Sequence, residues 1–381
     1  MNEDTEFYPM KFAFVLFKYF PYGGLQRDCV KIAQECQRRG HQVDVYCLEW
    51  SGPQPEGIRV EVLSVHAWLN YRRYEKFAEL VRLKVAQQHY DGLIGFNRMA
   101  GLDVYYAADP CYAAKVKDRS CLYRVLPRTR SFLKSEQTVF AKDGHCHILL
   151  ISPAEKDVFT GVYQTPEARM TLLPPGIQRD RLRPPDYQLI RQQKRDELGL
   201  SENTLFLLMV GSGFKTKGVD RSLKAVAALP EDIKEKALLY VIGQDSAQPF
   251  KRMAKGLRLD RQVFFPGGRD DIPELLFAAD LLLHPAYREN TGTVLLEAMA
   301  AGLPQLVSGV CGYSFYINQA QCGVVLDDPF QQNQMNAALV KMLTDQKTEL
   351  RRKNAMQFVA EQDVFSMPER AVDKIEQVLE C

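Results

Sequence analysis

The sequence predicts an α/β fold of two doubly wound domains facing each other across a cleft, one in each half of the chain. Three observations predict it. Each half opens on an apolar run, a glycine turn and an amphipathic stretch: FAFVLF ahead of Gly23 and Gly24, and LFLLMV ahead of Gly211, Gly213 and Gly218. Short apolar runs then alternate with helical periodicity, the pattern of parallel sheets covered by helices on both faces. And 381 residues are long for one domain and comfortable for two. The expected division is 1–174 and 175–364, with a C-terminal helix in 365–381 able to pack back on the first domain.

Composition excludes several classes. Lysine and arginine number 49 against 47 acids, a net charge of +2, so no globally basic nucleic-acid binder is indicated. The nine cysteines are an odd number without C-x-x-C spacing, as in a cytosolic chain with reduced thiols. The start, MNEDTEFYPM, lacks the basic and apolar regions of a secretory signal and reads as a loose extension ahead of a compact beginning near Met10. No run of about 18 apolar residues exists to span a membrane.

Taken in order, residues 12–17 suit a central strand. Val30, Ile32, Ala33 and Cys36 are spaced for one buried helix face, Gly40 ends that helix, and QVDVYCL is the next strand. The glycine pair either lets a ligand approach the backbone or merely closes a tight turn; it is not a G-x-G-x-x-G fingerprint. Further strands are expected at 60–65, 92–96, 104–108 and 148–151. Asp109 follows LDVYYAA and precedes Pro110, so it stands where a strand ends and ligands gather, although an Asp before a Pro is also an ordinary turn residue.

Residues 112–140 are the most basic stretch. Lys115, Lys117, Arg119, Arg124, Arg128, Arg130 and Lys134 are interleaved with Leu122, Tyr123, Val125, Leu126 and Phe132. Such a segment can lie on an anionic lipid surface, face water with snorkelling side chains, or touch nucleic acid. Pro127 argues against one continuous helix. His145, Cys146 and His147 lack a second ligand cluster at recognisable spacing, so they read as a strand entering the core. LLPPGI and RPPDYQLIRQQKRDELGLSEN read as a Pro-rich, charged crossing between domains, with Arg179 and Arg181 at its start.

The second half opens on a strand at 205–210. Its loop carries Lys215 and Lys217 among glycines, a composition for phosphate or for a basic surface turn, and it does not match a Walker A loop. LLYVIGQD ends at Gly243. VFFPGGRDD then gives a strand and a turn with Arg269, followed by a helix and the strand before His284. QCGVVLDDP is a last strand, and helices are expected at 331–343 and 368–379.

The stretch HPAYRENTGTVLLEAMAAGLP, 284–304, carries Glu289 and Glu297. Were it one helix, the two would stand about 12 Å apart, at roughly 1.5 Å per residue. A helix N-terminus at Asn290, Thr291, Gly292 and Thr293 would offer N–H groups and a positive dipole end to a diphosphate. In the alternative, Asn290 or Thr291 only caps the helix and Glu297 is a solvated helix residue. The apolar neighbours of Glu297 require the carboxylate to find a partner. No D-x-D triplet, the usual metal-holding pair of sugar-nucleotide enzymes, occurs.

With EN-TGTVLLEA-AGLP and its E-x7-E spacing, the chain resembles glycosyltransferase family 4, of GT-B fold with two Rossmann-like domains. FKYFPYGGLQRD, IGFNRMAGLDVYYAAD, LLPPGI, GVDRSL, VIGQD, DLLLHPAY and VCGY resemble, more narrowly, the lipopolysaccharide-core glucosyltransferases of that family. The resemblance implies transfer of glucose from UDP-glucose to a heptose of the inner core with retention at the anomeric carbon, 1–174 being the acceptor-side domain and 175–364 the nucleotide-sugar-binding one. Glu289 would contact donor-sugar hydroxyls, Glu297 the ribose, and Lys217 and Arg181 the diphosphate. Gly23 and Gly24 would approach the phosphates, and Asp109 would sit beside the reacting sugar. Gly243, Arg269, Asn290, Thr291 and Gly292 complete the expected donor-binding set, and Asp109, Glu289 and Lys217 the catalytic one. Family members often carry an arginine where Ser212 or Thr216 stands here, so Lys215 is expected to substitute.

No cofactor and no metal ion is expected, cations and the helix dipole carrying the charge. The implied partners are UDP-glucose, a lipid A–heptose core acceptor and an anionic inner-leaflet surface touched by 112–140, with no nucleic acid. The implied place is cytoplasmic and peripheral on the inner face of a Gram-negative inner membrane. Alternatives are another donor (UDP-N-acetylglucosamine or GDP-mannose), a UDP-sugar epimerase, and an inactive membrane-associated scaffold.

Overall fold

The computed structural model describes residues 8–21 and 23–380. Most of the acidic N-terminal extension and Tyr22 of the PYGG turn lie outside the described residues. The chain divides into two compact units, 1–174 with 366–381, and 175–365.

The first unit runs β1 (Lys11–Tyr19), α1 (Gly24–Arg38), β2 (Gln42–Trp50), β3 (Arg59–Val62), α2 (Asn70–Gln87), β4 (Gly92–Gly95) and β5 (Val104–Ala107). It continues with α3 (Tyr112–Lys117), α4 (Cys121–Val125), α5 (Pro127–Phe140), β6 (His147–Leu150), α6 (Pro153–Tyr163) and β7 (Met170–Leu172). The strands form one parallel sheet in the order β3-β2-β1-β4-β5-β6-β7. β1 is apolar without alternation because both its faces are covered. Phe12, Phe14 and Leu16 enter one core layer, and Ala13 and Val15 the other.

The second unit runs α7 (Tyr187–Glu197), β8 (Leu205–Val210), α8 (Val219–Ala227), α9 (Glu231–Lys234), β9 (Ala237–Ile242), α10 (Gln248–Gly256), β10 (Val263–Gly267), α11 (Ile272–Ala278) and β11 (Leu281–His284). Then come α12 (Thr293–Ala300), β12 (Gln305–Ser308), α13 (Ser314–Ala320), β13 (Gly323–Leu326), α14 (Gln332–Thr344) and α15 (Thr348–Glu361). Its sheet is β10-β9-β8-β11-β12-β13, again parallel. The last helix, α16 (Met367–Leu379), belongs to the first unit. It packs on α1 through Met367, Ala371, Val372 and Ile375, and Glu376 accepts from Arg39 and contacts His41, each at 2.8 Å.

Two sequence expectations are corrected. The charged passage read as an interdomain crossing contains α7, which packs on α11 within the second unit. Its Arg195 is buried, and the cost of that burial is offset by the carbonyls of Ser201 and Thr204, both at 2.8 Å, and by Asp280 at 3.3 Å. The strand expected at 60–65 stops at Val62. The strand, turn and helix read around 284–304 are present: β11 ends at His284 and α12 begins at Thr293, so the distance for a continuous helix does not apply between Glu289 and Glu297. Pro127 interrupts the basic segment as expected: it is the first residue of α5, where its missing N–H costs nothing.

Candidate active site

The second unit builds its site where β8 and β11 end. The loop after β8 lies against the loop after β11. At Gly218, with φ +77°, a Cβ would come within 2.0 Å of the Pro285 carbonyl oxygen, so the approach requires glycine. Tyr287 N–H donates to the Thr216 carbonyl at 2.8 Å, and Arg221 Nη1 donates to the carbonyls of Pro285 (3.1 Å) and Ala286 (2.9 Å). These bonds bring Lys217 onto Glu289 as a close ion pair. Glu289 is held from behind: its backbone bridges to Cys311, and Gly312 N–H reaches its carbonyl at 3.3 Å.

His284, the last residue of β11, lies beneath this pair, with Nε2 3.3 Å from Glu289 Oε2. Complete burial and the nearby Lys217 ammonium push its pKa down to about 3, so the ring is neutral near pH 7. A hydrogen bond to a carboxylate then requires the proton on Nε2. Burial also lowers the Lys217 pKa, and the Glu289 carboxylate favours its charged form. The Cys311 thiol is pushed up by burial and stays protonated.

α12 starts directly after Gly292, whose φ of +87° is open to glycine, and no side chain caps it. Neither Asn290 nor Thr291 is therefore the cap; Thr291 instead gives its carbonyl to Tyr313 N–H at 2.7 Å, and Asn290 is half-buried. One turn on, Glu297 is buried, at 5% exposure, on this almost wholly apolar helix. Arg181, from the 3₁₀ turn Arg179–Arg181, stands close by, with Nε 3.9 Å from Glu297 Oε1 while its Nη1 donates to Asp180 at 2.8 Å. The structure thus joins Lys217 with Glu289 and places Arg181 beside Glu297.

Other expected donor contacts are engaged elsewhere. Lys215 is largely exposed, 3.1 Å from Asp220 and over the Tyr287 ring, and Asp220 raises its pKa. Arg269 is paired with Asp271 and, at 3.5 Å, with Glu197. Gly243 serves packing: a Cβ there would lie 2.5 Å from the Gly211 carbonyl oxygen.

In the first unit, Gly23 precedes α1, and a Cβ on it would meet the Gln26 side chain, whereas Gly24 faces open space. Asp109 is exposed, two residues beyond β5, and its carbonyl accepts from Arg98 Nη2 at 2.7 Å. Arg98 also pairs with the buried Glu136, which accepts from Tyr112 N–H (2.7 Å), Ala113 N–H (2.8 Å) and Tyr163 OH (2.7 Å). Glu136 thus ties the start of the basic helices to the segment that carries Asp109. Lys115, Lys117, Arg119, Tyr123, Arg124, Arg128, Arg130 and Lys134 are all exposed, as are Leu122, at 80%, and Val125 and Leu126. His145 is exposed, while His147 is buried against Thr171 and pushed down to about 4. Among the described residues no group of three or more His, Cys, Asp and Glu side chains converges as a metal site.

Sequence reasoning missed His284, Tyr287, Asp220, Arg221, Cys311 and Arg98 as parts of these arrangements. For His284 the signal was present, since it ends a strand in the position where open parallel sheets gather ligands. The others are set by tertiary contacts that no local spacing announces.

Two family models match the chain: Glycosyltransferase Family 4 over residues 22–181 and Glycosyl transferases group 1 over 190–357. The lipopolysaccharide glucosyltransferase WaaG of Escherichia coli K12 is 42% identical over 365 residues, 95% of this chain and 98% of that one. The crystal structure of WaaG, described as a glycosyltransferase involved in lipopolysaccharide biosynthesis, superposes with a TM-score of 0.92 over 96% of this chain and 99% of that one, at 42% identity. Anabaena HepE in complex with UDP-glucose shares the fold, with a TM-score of 0.74 at 18% identity over 97% of this chain and all of that one. A family model on each half and a relative matched along nearly its whole length lead to one conclusion: the chain belongs to glycosyltransferase family 4 and has the GT-B fold.

Proposed function

We propose that the protein transfers glucose from UDP-glucose to a heptose of the lipopolysaccharide inner core, with retention at the anomeric carbon and without a metal ion. The observation that carries this reading is the Lys217–Glu289 pair, set over the neutral His284 beside the uncapped start of α12. The name of the 42% identical relative supports the acceptor class.

An incoming diphosphate offers Lys217 two negative charges in place of one, so donor binding draws the ammonium off Glu289. The released carboxylate then accepts hydrogen bonds from hydroxyls of the donor sugar, with His284 steadying it. Arg181 adds positive charge, and Glu297 accepts from the ribose. As the bond from the anomeric carbon to the β-phosphate oxygen breaks, charge grows on that phosphate. Lys217, Arg181 and the α12 dipole stabilise it. The acceptor hydroxyl attacks from the same face, its oxygen bonds to the anomeric carbon, and its proton passes to the departing phosphate. Asp109 is the candidate contact to the reacting sugar.

The exposed Leu122, Tyr123, Val125 and Leu126 beside seven cations suit an anionic lipid surface, each cation near it contributing about 1 kcal/mol. No described helix is long and apolar enough to cross a membrane.

A donor screen tests the reading: purified protein, truncated lipid A–core acceptor and a panel of nucleotide sugars, read by mass spectrometry with and without EDTA. One added hexose from UDP-glucose, undiminished by chelator, is expected. Transfer from another donor only, an epimerised donor without transfer, or silence under EDTA would overturn the corresponding part.

A further inference from the structure

A pocket of about 350 Å³ in the first unit is not used by the chemistry above. It lies between α2 and α5, beside Phe17 near the end of β1 and Arg98, Met99 and Ala100 just beyond β4. β1 and β4 are neighbours at the point where the strand order reverses, and in open parallel sheets ligands bind outside the carboxyl ends of strands at such a point. Its volume is within the roughly 300–1,000 Å³ typical of small-molecule sites.

Its lining has two characters. Tyr74 stacks flat on Phe17, with ring centroids 4.1 Å apart and planes 4° from parallel, and Tyr71 and Phe132 flank this platform. Ser131, Ser135 and Thr138 bring hydroxyls from α5. The charges are largely compensated: Glu79 holds Arg82 at 2.8 Å, Glu75 accepts from Ser131 at 2.6 Å, and Arg98 is paired with Glu136. Among the described residues Lys134 is the lining charge without an ion-pair partner.

An acyl chain here would strip water from carboxylates and guanidinium groups while giving them nothing to bond. A nucleotide diphosphate needs several uncommitted cations, and the lining offers one. A molecule with apolar C–H faces and a hydroxyl-bearing edge satisfies both characters of the lining.

From this we infer that the pocket binds a sugar ring of the acceptor saccharide, held face-on by Tyr71 and Tyr74 and edge-on by the α5 hydroxyls. The inference rests on the glycosyl-transfer reading and adds a specificity-determining subsite to it.

The test uses the full chain with Tyr71→Ala, which removes part of the platform, and Ser135→Phe, which fills the space. UDP-glucose is the donor and delipidated, heptose-containing core oligosaccharide the acceptor. Each variant is expected to raise the acceptor KM about tenfold, equivalent to roughly 1.4 kcal/mol of binding. The donor KM, kcat at saturating acceptor and the melting temperature should stay as in the parent. An unchanged acceptor KM in a correctly melting Ser135→Phe protein overturns the inference. So does loss of binding to anionic vesicles with acceptor KM unchanged, which would give the pocket to the lipid surface. If the parent transfers no glucose, the catalytic reading fails separately. Saturation-transfer NMR with the same oligosaccharide then decides the pocket: a parent signal that Ser135→Phe abolishes supports it, and equal signals or no parent signal overturn it.

Discussion

The two halves open on the same strand, glycine turn and helix, yet the two turns are built differently. The first closes on its own neighbours: Gly23 N–H reaches the Phe20 carbonyl at 3.3 Å, and Gln26 Nε2 the Lys18 carbonyl at 2.9 Å. The second is stitched to a distant loop, through Thr216 to Tyr287 and Arg221 to Pro285 and Ala286, and delivers an ammonium onto a carboxylate 72 residues away. A shared fold therefore fixes where a turn lies, while the loop residues decide whether it carries charge chemistry.

The comparison breaks most visibly at Lys217. Lys217→Ala should lower kcat by about 10²–10³, the usual loss for one transition-state donor, in a steady-state transfer assay. The same assay should show kcat falling as pH rises through the Lys217 pKa, which burial sets below the usual lysine value. The stitching comes next. Gly218→Ala pushes a methyl group into the Pro285 carbonyl at a positive φ, and thermal melting should register about 1–3 kcal/mol of lost stability, with transfer falling alongside. The first turn should respond least. Gly24→Ala enters open space at a helical position, so melting should be unchanged or improved by up to about 1 kcal/mol. A several-fold rise in the UDP-glucose KM with that stable fold would mark the phosphate approach expected there.

Acid sharpens the comparison from another side. Each unit buries one histidine well below the ordinary value of 6.5: His284 to about 3 and His147 to about 4. The unfolded chain binds these protons first, so stability is full above pH 6.5 and is lost as pH falls from there towards 4 and 3. His284→Gln should flatten the fall in melting temperature below pH 6.5 for the second unit.

Local signals carried far in this chain. The E-x7-E spacing, the lysine-bearing glycine loop and the Pro127 break are each written within a few residues, and the alternation of apolar runs was enough for two parallel sheets. Side-chain pairing was less legible. Arg269 and Lys215 were read as donor contacts, and their pairing with Asp271 and Glu197 and with Asp220 was not anticipated. α7 looked like a linker because the groups that let its Arg195 be buried, the carbonyls of Ser201 and Thr204 just beyond it and the distant Ala278 carbonyl and Asp280 carboxylate, are not marked by any local spacing. β12 (QLVS) and β7 (MTL) lack the unbroken apolar run that marks short strands such as β5 and β11.

The return of α16 has a consequence for synthesis. A ribosome releases the first unit's other elements long before Met367, Ala371, Val372 and Ile375 exist to cover them. That layer must wait, open to water, until the entire second unit has been made. Cutting the gene at codon 365 would leave it open permanently, so a fragment carrying the first 174 residues should need residues 366–381 spliced back to stay in solution.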